Sequence, residues 1–223
     1  MKTFNELRNL SWTELRRKLE GEFKLEEIIE RSKNHTLYSI NVLEANRKKV
    51  PANSGRSERE LEQKLFGNGK LCNDNEKILI YQYPTQRGGK SNIDLLGFNE
   101  SEGQLIIVEL KQAGNPDQLP KVILQCMDYW CFVWNRISDF KTMIKEDKGF
   151  EVNEKKEPEI FIVAPSKYFT SRRNINNNEF NIAQKLVETL GKQKIVIKVI
   201  YVKIENSTIK LEYNSKYFNG INE

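Results

Sequence analysis

The chain has 223 residues, 38% hydrophobic and 30% charged, with a formal net charge of +5. That length suits one decorated domain or two small ones, and such a chain buries roughly 70% of the surface it exposes when unfolded. The composition excludes a disordered polymer, no apolar run nears the ~20 residues of a bilayer span, and the charged start MKTFNELRNLSWTELRRK lacks the features of a secretory signal, so a soluble, cytoplasmic protein is expected.

In chain order, Ser11 or Thr13 is placed to cap a helix carrying Trp12, Leu15 and Leu19 and ending at Gly21. A short helix, KLEEIIERS, follows, and then HTLYSINVLEANRKKVPANSG, read as a possible strand and a basic loop. Ser57 opens a capping box with Glu60, and its helix shows Leu61, Leu65 and Phe66 on one side before GNGK ends it. KILIYQYP is a strand, QRGGK a turn, SNIDLLGF a second strand, NESEG a tight turn, and QLIIVELK a third strand, apolar on both faces and therefore central. After the loop QAGNPD, one long helix is predicted over LPKVILQCMDYWCFVWNRISDF, apolar almost all round. MIKEDKGFEVNEKKEPE reads as a solvated connection, EIFIVAPS as a buried strand and NNEFNIAQKLVETLG as an amphipathic helix ending at Gly191. KIVIKVIYVKI and STIKLEY form a hairpin through Asn206-Ser207. This order predicts an α/β domain, a mixed β-sheet flanked by helices.

The residue inventory narrows the chemistry. His35 is the single histidine, so a zinc site built on two or three histidines is excluded, and no GxSxG or phosphate-binding glycine loop is present. Cys72, Cys126 and Cys131 are odd in number and lack CxxC spacing, which argues against a disulfide framework. Carboxylates, lysines and an oxygen-ligated metal remain.

Alternation along QLIIVELK sets Leu105, Ile107, Glu109 and Lys111 on one face, with Glu109 and Lys111 ~6.6 Å apart along the strand. If SNIDLLGF pairs with it through NESEG, Asp94 lies beside Glu109 or Lys111. Two neighbouring carboxylates repel each other, and a divalent ion with oxygen ligands resolves the conflict. Lys111, beside such an ion, is placed to orient or activate a water or to stabilise charge growing on a phosphate. In the blander reading, Glu109 and Lys111 are an ion pair at a strand end. The aromatic run Tyr129, Trp130, Phe132 and Trp134 is read as core, and the basic groups Arg47-Lys48-Lys49 and Arg172-Arg173 are read either as solvated charges or as phosphate contacts.

Asp94 followed, after fourteen residues, by Glu109-Leu110-Lys111 resembles the PD-(D/E)xK nuclease superfamily, of restriction-endonuclease-like fold. The order helix, three-strand meander, helix, strand from about residue 57 to 165 matches that family's αβββαβ core. Gln125-Cys126-Met127-Asp128-Tyr129 resembles the Q-x-x-x-Y motif of RecB-like members, with Ile93 where the family carries proline and no cysteine set for an iron–sulfur cluster. The resemblance implies a nuclease-like domain over 56–223 with a mostly helical extension over 1–55. It implies a magnesium or manganese ion held by Asp94, Glu109 and the carbonyl of Leu110, with Glu58 or Glu62 completing the ligands. Lys111 would serve catalysis and Gln125 would position it or the scissile group, while Tyr129, Lys90 and Arg47-Lys48-Lys49 are weaker candidates for contacting substrate. The implied activity is hydrolysis of phosphodiester bonds in DNA, with a homodimer possible. The alternative is a nucleic-acid-binding module on the same fold that does not turn over.

Overall fold

A computed structural model describes residues 3–21, 24–33, 58–85, 91–175, 177–205, 208–214 and 218. Three helices lead: α1 (Phe4–Arg8), α2 (Trp12–Glu20) and α3 (Leu25–Lys33). Reciprocal capping boxes start the first two, Thr3 with Glu6 and Ser11 with Glu14. Helix α4 (Glu58–Asn68) precedes the meander β1 (Glu76–Pro84), β2 (Asn92–Asn99) and β3 (Gln104–Leu110). Then come α5 (Leu119–Trp134), α6 (Ile137–Lys148), β4 (Glu159–Pro165), α7 (Ser166–Ile175), α8 (Asn177–Lys192), β5 (Ile197–Glu205) and β6 (Thr208–Tyr213).

The six strands form one mixed sheet in sequence order: β1-β2-β3 and β5-β6 pair antiparallel, and β3-β4-β5 run parallel. Strand β3 is central and buried, because its neighbours fill both edges and apolar clusters cover both faces. One cluster joins Leu105 and Ile107 to α5 and to Phe4, Leu7, Leu15, Leu19, Leu25 and Ile28 of the leading helices. The other joins Ile106, Val108 and Leu110 to Leu61 and Leu65 of α4. The leading helices thus pack into the same core as α5.

Helix α5 has no side-chain cap at Gln118. Leu119 N–H donates instead to Glu179 Oε1 of α8 at 2.9 Å, so the buried end of the helix is satisfied from another element. Two expectations are corrected here. The single long helix breaks at Asn135-Arg136: Asn135 N–H bonds back to Cys131 and Val133, and a new helix starts at Ile137. Part of the expected solvated connection is core, because Met143 and Ile144 of α6 are buried. Helix α7 was not anticipated. The expected strand and basic loop over 35–55, the Ser57 cap, the QRGGK turn over 86–90 and the Asn206-Ser207 turn lie outside the described residues.

The β1–β2 ribbon turns over near its outer end. In a regular strand residues 81 and 83 share a face. Here Tyr81 packs on the α4 side, while Tyr83 packs on the α5 side against Phe132 and Phe140. Leu95 and Ile93 divide in the same way. Between the two tyrosines, Gln82 has a left-handed φ of 44°.

Candidate functional site

Three strands bring polar side chains into one row across an otherwise apolar sheet. The β2–β3 register pairs Leu95 with Val108, and its next step sets Asp94 opposite Glu109. The β1–β2 register pairs Tyr81 with Leu95 and Tyr83 with Ile93, which sets Gln82 opposite Asp94. The ladder stops at this row for a chemical reason. Leu110 N–H turns its hydrogen bond onto Asp94 Oδ2 at 2.8 Å, and Lys111 N–H continues to Val163 of β4 at 2.9 Å.

Glu109 and Lys111 are 1% and 5% exposed, and Lys111 Nζ lies 2.5 Å from Glu109 Oε1. Asp117 of the following loop approaches the same ammonium at 3.8 Å. Glu62 of α4 is buried and accepts a hydrogen bond from Gln82 Nε2 at 2.8 Å. On the α5 side, Gln125 Nε2 donates to the Tyr129 hydroxyl at 2.8 Å, the one-turn contact expected of an i, i+4 pair, and Ser91 Oγ reaches the same hydroxyl at 3.4 Å.

The electrostatics follow from this crowding. Desolvation pushes the Asp94 carboxyl well above its ordinary value; Glu109 and then Glu62 push the same way, against the pull of Lys111 and the Leu110 N–H. Burial, then Glu109 and Asp94, raises the Tyr129 phenol, which stays a neutral hydrogen-bond donor. Cys126, on α5 over the same row, is raised first by burial and then by Glu109, and is an inert buried thiol.

A polar cleft of about 440 Å³ opens onto this row. Asn5, Arg8 and Asn9 of α1 line one wall; Asp94, Gln82 and Tyr129 lie on the other. Asp94 is reached directly from the cleft, and Glu109 and Lys111 lie behind it.

The sequence-predicted residues therefore divide. Asp94, Glu109, Lys111, Gln125 and Tyr129 gather in one place, with Glu62 beside them and Leu110 bonded to Asp94 through its N–H. Glu58 begins α4, but its side chain is outside the described set, as are Lys90 and Arg47-Lys48-Lys49. The α1 residues and Gln82 were not anticipated. The Thr3-Phe4-Asn5-Glu6 capping box was a legible signal for the first, and a glutamine within the apolar run KILIYQYP for the second.

As the side chains stand, no group of three or more His, Cys, Asp or Glu residues among those described is arranged to hold a metal ion. The donor chemistry still suits a hard cation. Glu109 helps hold the Asp94 carboxyl above its ordinary range, and magnesium accepts as few as one or two carboxylates while keeping waters. Asp94 and Glu109 are the residues that could hold one. Comparison with protein-family models, with curated proteins and with solved structures gave no match. Among the described residues, no helix is long and apolar enough to cross a membrane.

Proposed function

We propose that this chain is a magnesium- or manganese-dependent nuclease of the PD-(D/E)xK type, built on a restriction-endonuclease-like core, that hydrolyses phosphodiester bonds in DNA. One observation carries the reading: Asp94, which lines a polar cleft, stands opposite Glu109 on the adjacent strand, and Lys111 Nζ lies 2.5 Å from Glu109. Structural ion pairs are usually isolated. Here a second carboxylate, Asp94, stands opposite the Glu109–Lys111 pair, with Glu62 close enough to push Asp94 up further, an arrangement that costs stability and is found where chemistry needs it.

Asp94 and Glu109 would hold the ion, with the Leu110 carbonyl, Glu58 or Glu62 as further ligands. When bound, the ion would draw charge from the phosphodiester and lower the pKa of a water. Lys111 would orient that water or offset the charge growing on the phosphate. The Tyr129 hydroxyl, fixed by Gln125, would donate a hydrogen bond to a phosphate oxygen. Water oxygen would replace one ester oxygen at phosphorus, and the departing oxygen would leave as a hydroxyl.

The test is cleavage of single-stranded, duplex, nicked and branched DNA, and of RNA, with magnesium or manganese, beside Glu109→Ala. Cleavage that needs the metal and disappears in the variant is expected. Salt-dependent binding without cleavage in any metal would instead favour a non-catalytic nucleic-acid-binding module.

A further inference from the structure

We propose that Arg8 is a substrate-binding residue, which grips a nucleic-acid phosphate next to the one being cut, so that α1 forms one jaw of the cleft. This rests on the nuclease reading above. Helix α1 has two sides. Phe4 and Leu7, one turn apart, are 0% and 3% exposed and sit in the cluster that includes α5. Arg8, one turn after Phe4, stands on the flank of that buried face, and with Asn5 and the C-cap Asn9 it lines the cleft. The helix is pinned from several directions: by its capping box, by Phe4 N–H donating to Ser32 Oγ at 3.1 Å, and by Lys121 Nζ of α5 donating to Leu10 O at 2.8 Å. Arg8 is therefore held in place by its neighbours' packing.

Among the described residues nothing answers its side chain. Arg8 is half-buried, yet it makes no hydrogen bond or ion pair with any described residue. Elsewhere Lys141 with Glu154, Lys198 with Glu159 and Lys203 with Glu212 each meet a carboxylate at 2.7–2.8 Å. Arg8 is also the one cation among the residues lining this cleft, and the others are neutral and polar apart from Asp94. A guanidinium offers two parallel N–H donors matched to phosphate oxygens, and the amides of Asn5 and Asn9 can donate to the same backbone. A phosphodiester carries its charge next to the cation that Asp94 and Glu109 would hold.

The experiment measures binding of a labelled oligonucleotide across a salt series by the full chain carrying Glu109→Gln, which spares the substrate, and then kinetics of the otherwise wild-type enzyme. Adding Arg8→Gln should weaken binding roughly tenfold, the scale of a lost charge-assisted hydrogen bond. It should also flatten the slope of log affinity against log salt by about 0.7 for a single strand or 0.9 for a duplex, the signature of one phosphate contact. Arg8→Lys should restore the slope and part of the affinity. In the cleaving enzyme, Arg8→Gln should raise KM more than it lowers kcat. Asn9→Asp, at an exposed position that does not threaten folding, should weaken binding in the same direction, most at low salt. If the unsubstituted enzyme cuts DNA while Arg8→Gln leaves affinity and salt slope unchanged, the Arg8 assignment is wrong and the nuclease reading stands. If affinity falls with an unchanged slope, Arg8 acts indirectly and the assignment is again wrong. If the unsubstituted chain neither binds nor cuts nucleic acid, the nuclease reading fails and takes this one with it.

Discussion

Both ends of the β1–β2–β3 meander bury carboxylates, and they handle them differently. At the end where β1 begins, Glu76 is 1% exposed and takes a hydrogen bond from Cys72 N–H at 3.2 Å and another from the Tyr213 hydroxyl. Nearby, Glu159 is answered by Lys198 at 2.7 Å. The neighbours absorb the strain: burial, then Glu76, pushes the Cys72 thiol up to about 12, and burial raises the Tyr213 phenol. Each carboxylate there has its own donors. At the other end Glu62 takes the Gln82 amide, Asp94 the Leu110 N–H and Glu109 the Lys111 ammonium, and Asp94 is left with a raised pKa. The first end is a finished structural solution. The second sets carboxylates close enough that Glu109 and Glu62 help push Asp94 above its ordinary range.

The sharpest way to break this comparison is at Lys111. Lys111→Met should lower cleavage by at least about 10²-fold, as expected on losing a positioned proton-transfer or charge-stabilising group. It should also destabilise the fold by roughly 3–5 kcal/mol, because Glu109 is left as an uncompensated buried charge. Urea melts and turnover assays on one preparation measure both.

The next test exploits the sign at Asp94. Its folded pKa lies above its unfolded value of about 3.8, so between the two values the native state binds more protons, and stability falls as pH rises through that window. Asp94→Asn removes the repulsion and keeps an acceptor for the Leu110 N–H. The variant should be inactive yet more stable near neutral pH by roughly 0.5–2 kcal/mol, the usual gain when a functional compromise is relieved. Its advantage over the wild type should shrink as pH drops toward the ordinary carboxyl range. An Asp94→Asn protein less stable at neutral pH would refute the crowding described here. At the finished end the outcome should invert. Glu76→Gln should cost roughly 1–3 kcal/mol and Tyr213→Phe about 1 kcal/mol, the range for a disturbed buried hydrogen bond, with cleavage unchanged in both.

Much of the second end was legible in the sequence. Period-two alternation is a strong constraint in a strand buried on both faces, so Glu109 and Lys111 fell on the α5 side with Leu105 and Ile107 as the pattern required. The four-residue spacing of Gln125 and Tyr129 appears as a hydrogen bond. Asp94 could be placed only to within a residue, because the row it joins depends on where the ladder stops. The break at Asn135-Arg136 was hidden because the apolar period runs through it to Ile137, Phe140, Met143 and Ile144 with no Gly or Pro to mark it. Helix α7 begins directly at the strand's Pro165-Ser166 junction and is too polar to announce itself by periodicity. The five residues of α1 are too few for a pattern, and only tertiary packing reveals which of its sides meets the cleft.

The left-handed backbone at Gln82 has a consequence for how the hairpin tolerates change. Because the ribbon turns over at the Gln82–Asp94 step, inside and outside exchange roles along both strands: Tyr81 and Leu95 point one way, Tyr83 and Ile93 the other. Adding or deleting one residue between this step and Tyr83 or Ile93 would turn that side chain away from the cluster it packs in. The outer hairpin is therefore locked to its length by the same residue that hands an amide to Glu62. A glycine there would ease the backbone at the expense of that amide, and a valine or isoleucine would resist the left-handed turn altogether.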